Sequence, residues 1–305
     1  AGFRLRRRDL PGYALVVLLA FDLLVAHRGL NPTIEREHLM PETALTRYVH
    51  EHGLAGRVGT AEGGVPGGLM AAYGIHEWLG EDGMYPERMI RFLKTMGPEL
   101  WNAMEPACAI GCYLKHPEFA DAFPGDASER LRLLDALDGL EVYANTAAFP
   151  PAYVVPEVRV CPDRETMYGL MAEPGFDPAR TALIEAPLTA SLPGTGRGTA
   201  EVVSRGFTEV VVRVEAERPA LLVLADAYYP GWTATVNGVP AEIVPVYSVF
   251  RGVAVPAGHA EVRFTYFPAV FRAGLACSAL FLAAGSVAGL ISLRNARRGA
   301  VRKQA

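Results

Sequence analysis

With 305 residues, half of them apolar and a fifth charged, the chain is long enough for two domains with cores of their own and too rich in apolar residues for a disordered tail. Arg4, Arg6, Arg7 and Arg8 near one end and Arg294, Arg297, Arg298, Arg302 and Lys303 near the other hold nine of its 29 basic residues, and with Asp9 and Asp22 set aside the remaining 20 basic residues face 31 acidic ones. An acidic middle of this kind argues against nucleic acid as a partner, which needs a basic stripe.

In chain order, residues 10–27 open on LPGYALVVLLAFDLLVA, an apolar stretch with Asp22 near its far end. No small-residue cleavage site follows, so it is read as a transmembrane helix rather than a signal-peptide core. Asp22 is a candidate binding residue because an intramembrane carboxylate is a functional candidate by default, although a place near the outer interface also lets it reach water cheaply. Residues 34–190 read as a mixed α/β extracytoplasmic domain. PETALTRYVHEHG (41–53), YPERMIRFLKTMG (85–97), SERLRLLDALDG (128–139) and DRETMYGLMAE (163–173) carry helix caps or one apolar face and predict helices. LEVYAN (140–145), PAYVVPEVRV (151–160) and TALIEA (181–186) predict strands.

A glycine-rich break, LPGTGRG (192–198), leads into a second half of different character. FTEVVVRVEAE (207–217) and AEVRFTYF (260–267) alternate apolar with mostly polar residues, as a strand with one buried face does. With ALLVLADA (220–227), WTATV (232–236), AEIVPVY (241–247) and FRGVAV (250–255), separated by Pro-Gly and Asn-Gly turns, they predict an antiparallel β-sandwich over 196–268. Residues 273–293 carry no charge over 21 positions, about the length that crosses a hydrocarbon core of roughly 30 Å. Residues 271–293 are therefore a second transmembrane helix and 294–305 a basic cytoplasmic tail. Cytoplasmic ends carry the Lys/Arg excess, which puts both termini inside and the acidic body outside, against the membrane lipid that holds it. The expected fold class is α+β: a mixed α/β extracytoplasmic domain and an antiparallel β-sandwich, flanked by two transmembrane helices.

The stretch AYYPGWTATVNG (227–238) gathers the candidate binding residues Tyr228, Tyr229 and Trp232. Their rings can stack on a sugar face, form an aromatic belt at the headgroup level, or serve the core and its turn. Tyr247 and Arg251 join them as candidates; Arg251 can pair with a phosphate or with Asp226, and the ion pair is the favoured reading. His50, Glu51, His52, His76 and Glu77 are zinc-ligand types without an HExxH motif, so no metal and no cofactor is expected. Cys108 and Cys112 can bridge in an oxidising compartment, but free buried cysteine is the commoner fate. LPGTG (192–196) does not immediately precede a hydrophobic tail and is no sorting signal, GGVPGG (63–68) lacks the Lys-Ser/Thr of a phosphate loop, and no GxSxG elbow exists for a nucleophilic serine.

The order YYPGW, an Asn-Gly turn, a strand ending in tyrosine and then VFRGVAVPAGHAEVRFTYFP ahead of the last apolar helix resembles the C-terminal signature of the YfhO family of bacterial membrane proteins. LLVAHRGLNP (23–32) and MAAYGIHEWLGEDGMYPERMIRFL (70–93) resemble further family segments, as does VYANTAAFPPAYVV (142–155), although Phe149 and Pro151 stand where leucine and arginine are usual. The resemblance implies a bacterial inner-membrane, integral-membrane glycosyltransferase that moves a sugar from a polyprenyl-phosphate carrier to an envelope glycan or glycolipid. In that class the catalytic acid sits in the first outer loop of a many-helix bundle. With at most two spans and an N-terminal alanine, this chain is expected to be a C-terminal portion without that part, so whether it acts as an enzyme is left open and no catalytic residue is carried over. The alternative is a non-catalytic carbohydrate-binding or scaffolding module of the envelope.

Overall fold

A computed structural model describes residues 10–26, 41–52, 56–60, 65, 67–80, 85–118, 129–188, 192 and 196–301. The basic N-terminal flank, Arg302 and Lys303, half of GGVPGG and most of LPGTG lie outside the described residues. The chain divides into two units, Ala1–Thr43 and Ala44–Ala305. The first holds helix α1 (Leu10–Ala26), 17 residues long, with Asp22 and the other described side chains exposed.

The second unit is built on three sheets that carry helices α2 (Ala44–His52), α3 (Leu69–Ala72), α4 (Glu87–Thr95), α5 (Pro98–Met104) and α6 (Arg164–Met171). A four-stranded sheet runs β1 (Arg57–Thr60), β2 (Ile110–Lys115), β4 (Leu140–Asn145), β3 (Leu131–Leu137). A six-stranded sheet runs β5 (Ala152–Val155), β10 (Ala220–Ala227), β14 (Phe250–Val255), β13 (Val244–Val246), β7 (Thr181–Ile184), β6 (Glu157–Val160). A five-stranded sheet runs β12 (Val239–Ala241), β11 (Trp232–Val236), β15 (Gly258–Tyr266), β9 (Glu209–Ala216), β8 (Gly198–Arg205).

The unbroken apolar run of β10 follows from its place in the six-stranded sheet. Leu221, Val223 and Ala225 pack on one side with Met89 and Phe92 of α4 and Met167 and Met171 of α6. Leu222 and Leu224 pack on the other with Val210, Val212, Val214, Val262 and Phe264 of the five-stranded sheet. A strand covered on both faces has no solvent side to mark with polar residues. Arg213 and Glu215 of β9 do mark one, on the outer face of the five-stranded sheet.

Three sequence expectations change. The boundary drawn at 190–196 does not separate two folding units: β10 pairs with β5, and Val246 of β13 pairs with Ile184 of β7, so strands from both halves complete one sheet. The strands expected to form a sandwich by themselves are divided between that sheet and the five-stranded one. The helix expected over 128–139 is instead strand β3 of a hairpin with β4. Asp138 and Gly139 both hold positive φ (53° and 80°), the mirror-image turn whose twist matches paired strands. A bulge between Leu133 and Asp135 breaks the two-residue alternation, leaving Leu131, Leu134 and Leu137 as the half-buried positions at a spacing that imitates a helix. Asp138 then accepts the backbone N–H of Leu45 at 2.8 Å, tying the turn to the start of α2.

Other expectations stand. The helix at 163–173 is α6, with the Asp163 carboxylate capping the N–H of Thr166 at 2.7 Å. Cys108 and Cys112 are free, buried thiols; burial pushes Cys112 up to about 12. The last helix, α7 (Ala269–Val301), is exposed over Ala269–Ile291 and apolar there apart from Arg272 in its first turn and a few small polar residues. Among the described residues it is the one helix long and apolar enough to cross a membrane, and the apolar stretch of α1, Val17–Ala26, is shorter. Tyr266, the end of β15, lies three positions before α7.

Candidate functional site, an arginine-lined pocket

The three sheets converge on one carboxylate. A bulge between Leu224 and Ala227 interrupts β10 where Asp226 stands. Arg251, paired with Leu224 across the β10–β14 ladder, points into the same end of the layer between sheets. Arg205 closes β8 in the five-stranded sheet, and Arg57 opens β1 in the four-stranded one. Asp226 accepts Arg205 Nη1 at 2.8 and 3.0 Å and Arg251 Nη2 at 2.8 Å, and takes a further bond from Arg57 Nη2. Arg57 spends its Nη1 on the carbonyl of Cys108 at 3.1 Å. The Arg251–Asp226 pair is the one favoured on sequence.

Burial alone would push the Asp226 carboxyl up, but Arg57, Arg205 and Arg251 more than offset it and hold the group below its ordinary value. It stays an anion and cannot deliver a proton near neutral pH. Burial lowers Arg251 to about 10, with Asp226 opposing and Arg205 and Arg57 adding to the fall. Arg251 therefore remains a cation, only 3% exposed, with Nε and Nη1 buried and without an acceptor among the described residues. Its guanidinium lies 4.0 Å from the ring centre of Trp232 and 5.3 Å from that of Phe264.

These groups line a pocket of about 530 Å³ whose aromatic wall includes Trp78, Tyr229, Trp232 and Tyr266, a size suited to a small molecule. His76 and Glu77 complete the rim. Burial lowers His76, and the fields of Arg205 and Arg57 lower it further. Glu77 Oε2 accepts from the N–H of Ala71 at 3.2 Å, whereas Oε1 is buried without a partner among the described residues.

The turn before Trp232 fastens this wall to the base of α7. Gly231 holds φ at 104°, and a Cβ there would lie 2.9 Å from Pro268 Cβ and 3.0 Å from Tyr266 Cε2. Phe267 N–H donates to the Gly231 carbonyl at 3.1 Å. Trp232 and Tyr266 are register partners with ring centres 5.3 Å apart. The pocket's aromatic side thus stands within a few residues of the membrane-capable helix.

Of the residues singled out on sequence, Tyr229, Trp232 and Arg251 meet in this pocket. Tyr228 turns to α4, where the Arg88 guanidinium lies 5.2 Å from its ring centre. Tyr247 is fully buried, and its hydroxyl donates to the carbonyls of Pro178 (2.8 Å) and Thr181 (3.1 Å), so its work is in the core. Asp22 lies in the other unit. Arg57 and Arg205 escaped the sequence reading. The signal for Arg57 was a cation opening a short apolar strand; Arg205 ends a strand, GTAEVVSR, that was not recognised. No group of three or more metal-ligand side chains occurs among the described residues.

Residues 200–278 match the family described as bacterial membrane protein YfhO. That stretch is a YfhO-family region. It contains Arg205, Asp226, Tyr229, Trp232, Arg251 and Tyr266 and runs on into α7, while Arg57 and His76 of the same pocket lie outside it. No curated protein and no solved structure matches the chain. The YfhO region therefore supplies Tyr229, Trp232 and Tyr266 of the aromatic wall and two of the three arginines, while Trp78 lies outside it.

A second buried carboxylate, Glu105, is separate from this pocket. Its Oε1 accepts Tyr113 Oη at 2.8 Å and Asn145 Nδ2 at 2.6 Å, and Arg130 stands 3.6 Å from Oε2. Burial raises its pKa, and the two hydrogen bonds and Arg130 only partly offset this. A raised carboxyl contributes stability that is full below its unfolded value, near 4.5, and is lost as pH rises through the folded value. Glu105→Gln keeps an acceptor for both donors and removes that titration. Urea unfolding from pH 4 upward is expected to show a smaller decline of stability with rising pH for the variant than for the parent; parallel curves would contradict the assignment.

Proposed function

We propose that residues 44–268 are the extracytoplasmic part of a membrane-embedded, glycosyltransferase-like protein of a bacterial cell membrane, anchored by α7 and, through α1, by a second apolar segment, with both basic ends in the cytoplasm. In this reading the whole protein passes a sugar from a polyprenyl-phosphate carrier to an envelope acceptor, and the region described here covers the transfer site or selects the acceptor. The observation that carries it is the YfhO match, which runs without interruption from the pocket's walls into the membrane-capable helix. A sugar would lie against Trp232 and Tyr229, whose flat apolar faces suit sugar C–H groups.

One observation favours a binding module over a catalytic one. The pocket's most buried carboxylate, Asp226, is locked to three arginines and held ionised, which suits binding rather than proton transfer. Titration of the full chain in detergent with envelope saccharides and lipid-linked sugars tests the binding role. Trp232→Ala should weaken binding about tenfold, equivalent to roughly 1.4 kcal/mol. Equal affinity for parent and variant would remove the pocket from sugar recognition, and would leave the membrane anchoring untouched.

A further inference from the structure

We infer that the pocket between the three sheets is a phosphate-binding site, in which Arg251 and Arg205 take the anion while Asp226 holds their guanidinium groups in place. Three guanidinium groups surround one carboxylate that touches all of them. Glu77, the other carboxylate of the rim, bonds to the backbone of Ala71 instead. Positive charge thus exceeds the charge that compensates it, in a place where two arginines are nearly withdrawn from water. Uncompensated buried charge is costly, and a bound anion is what removes the cost.

The donors are specific. Asp226 occupies Nη2 of Arg251, while Nε and Nη1 of the same guanidinium are buried with no acceptor among the described residues, two charged donors left for the oxygens of an anion. Arg205 bonds to Asp226 through Nη1 alone. Trp232 stacks over the Arg251 guanidinium, with its ring centre 4.0 Å from Cζ, so an anion bound by that guanidinium changes the surroundings of the indole and Trp232 reports on its arrival. Because Trp232 and Tyr266 stand at the base of α7, the phosphate is either that of a lipid headgroup or a free one. Only the lipid source rests on the membrane reading proposed above; the soluble arm tests the site without it.

The full chain, purified in a zwitterionic detergent, is titrated with inorganic phosphate while tryptophan fluorescence is recorded. In parallel it is placed in nanodiscs of phosphatidylcholine with and without phosphatidic acid, and its thermal unfolding is followed. The parent should respond in at least one arm; in Trp232→Phe the fluorescence response to phosphate should shrink to what Trp78 of the same pocket contributes, while the thermal shift in phosphatidic acid nanodiscs persists. Arg205→Gln leaves Asp226 paired with two arginines and should weaken the response at least about tenfold, the loss expected for a charge-assisted bond. If Arg205→Gln does not fold, Arg251→Lys keeps the charge that pairs with Asp226 but loses the Nε and Nη1 donors, and should weaken it similarly. A response to inorganic phosphate assigns a free phosphate, and one confined to phosphatidic acid assigns a lipid headgroup. No response in either arm, or an undiminished one in both arginine variants, overturns the inference.

Discussion

Replacing Asp226 by asparagine is expected to destabilise the protein by about 3–5 kcal/mol, the range for removing one partner of a buried ion pair. Asparagine has nearly the same shape, so no cavity accounts for the loss. What changes is charge: Arg57, Arg205 and Arg251 are left around a neutral amide whose Nδ2 is itself a donor facing donors. The contribution of Asp226 has a defined pH course. Its folded pKa is below the unfolded value near 3.8, so its stabilisation is present above that value and disappears as pH falls through the folded one. The gap between parent and variant should therefore be full at neutral pH and close in strong acid. The double variant Asp226→Asn, Arg205→Gln should recover part of the loss, since it removes one of the repelling cations. Phosphate should also stabilise Asp226→Asn more than the parent, by occupying the vacated charge. Chemical denaturation at pH 7 and below pH 3 reads all of these, and a single variant as stable as the parent at pH 7 would contradict the electrostatic account.

Tyr247→Ala is expected to cost about 3–5 kcal/mol, the range for emptying a large aromatic from a core. The side chain is fully buried between Phe176 and Phe250, edge to face with each at 6.3 and 6.4 Å between ring centres. Its backbone carries a second demand. Tyr247 and Ser248 hold positive φ (51° and 70°) in the turn from β13 to β14, where Asn-Gly would be the ordinary choice, and Val249 N–H closes it on the Val246 carbonyl at 3.1 Å. The buried ring and its hydroxyl hold that turn in place of favourable turn residues. Tyr247→Phe should cost about 1–3 kcal/mol, since the carbonyls of Pro178 and Thr181 lose a buried donor. Neither change should alter ligand affinity in the fraction that remains folded, which separates Tyr247 from the pocket residues. A phenylalanine variant of full stability with weakened saccharide or phosphate binding would return Tyr247 to the site.

The parts of this fold that were legible in the sequence are those set by local pattern. Alternation fixed β9 and β15, Asp163 announced α6, and Asn237-Gly238, with φ of 51° and 80°, announced the β11–β12 turn. The uncharged stretch before Arg294 announced α7. Local pattern failed where a bulge altered it, as at Leu134, and where a strand offered little periodicity, as at GTAEVVSR. The site was half legible for a related reason. Arg251 and Asp226 lie on neighbouring strands of one ladder, both of which were recognised from their apolar runs, so the two could be paired by inspection. Arg57 and Arg205 arrive from two other sheets, 169 and 21 positions away from Asp226, and nothing in either local sequence names a shared partner. The aromatic cluster at 228–232 was visible as a unit, but its division between α4, the pocket and the base of α7 depends on the Gly231 turn and its close approach to Pro268.

The central claim is that the pocket's aromatic wall stands at the membrane surface beside α7. Quenching by spin-labelled lipids in reconstituted vesicles tests it directly, as the difference between the parent and Trp232→Phe for labels at the headgroup and at the acyl-chain end. Strong quenching of Trp232 by the headgroup label and weak quenching by the acyl-end label is the predicted result. A Trp232 signal that no lipid label quenches, while a water-soluble quencher reaches it freely, would contradict it.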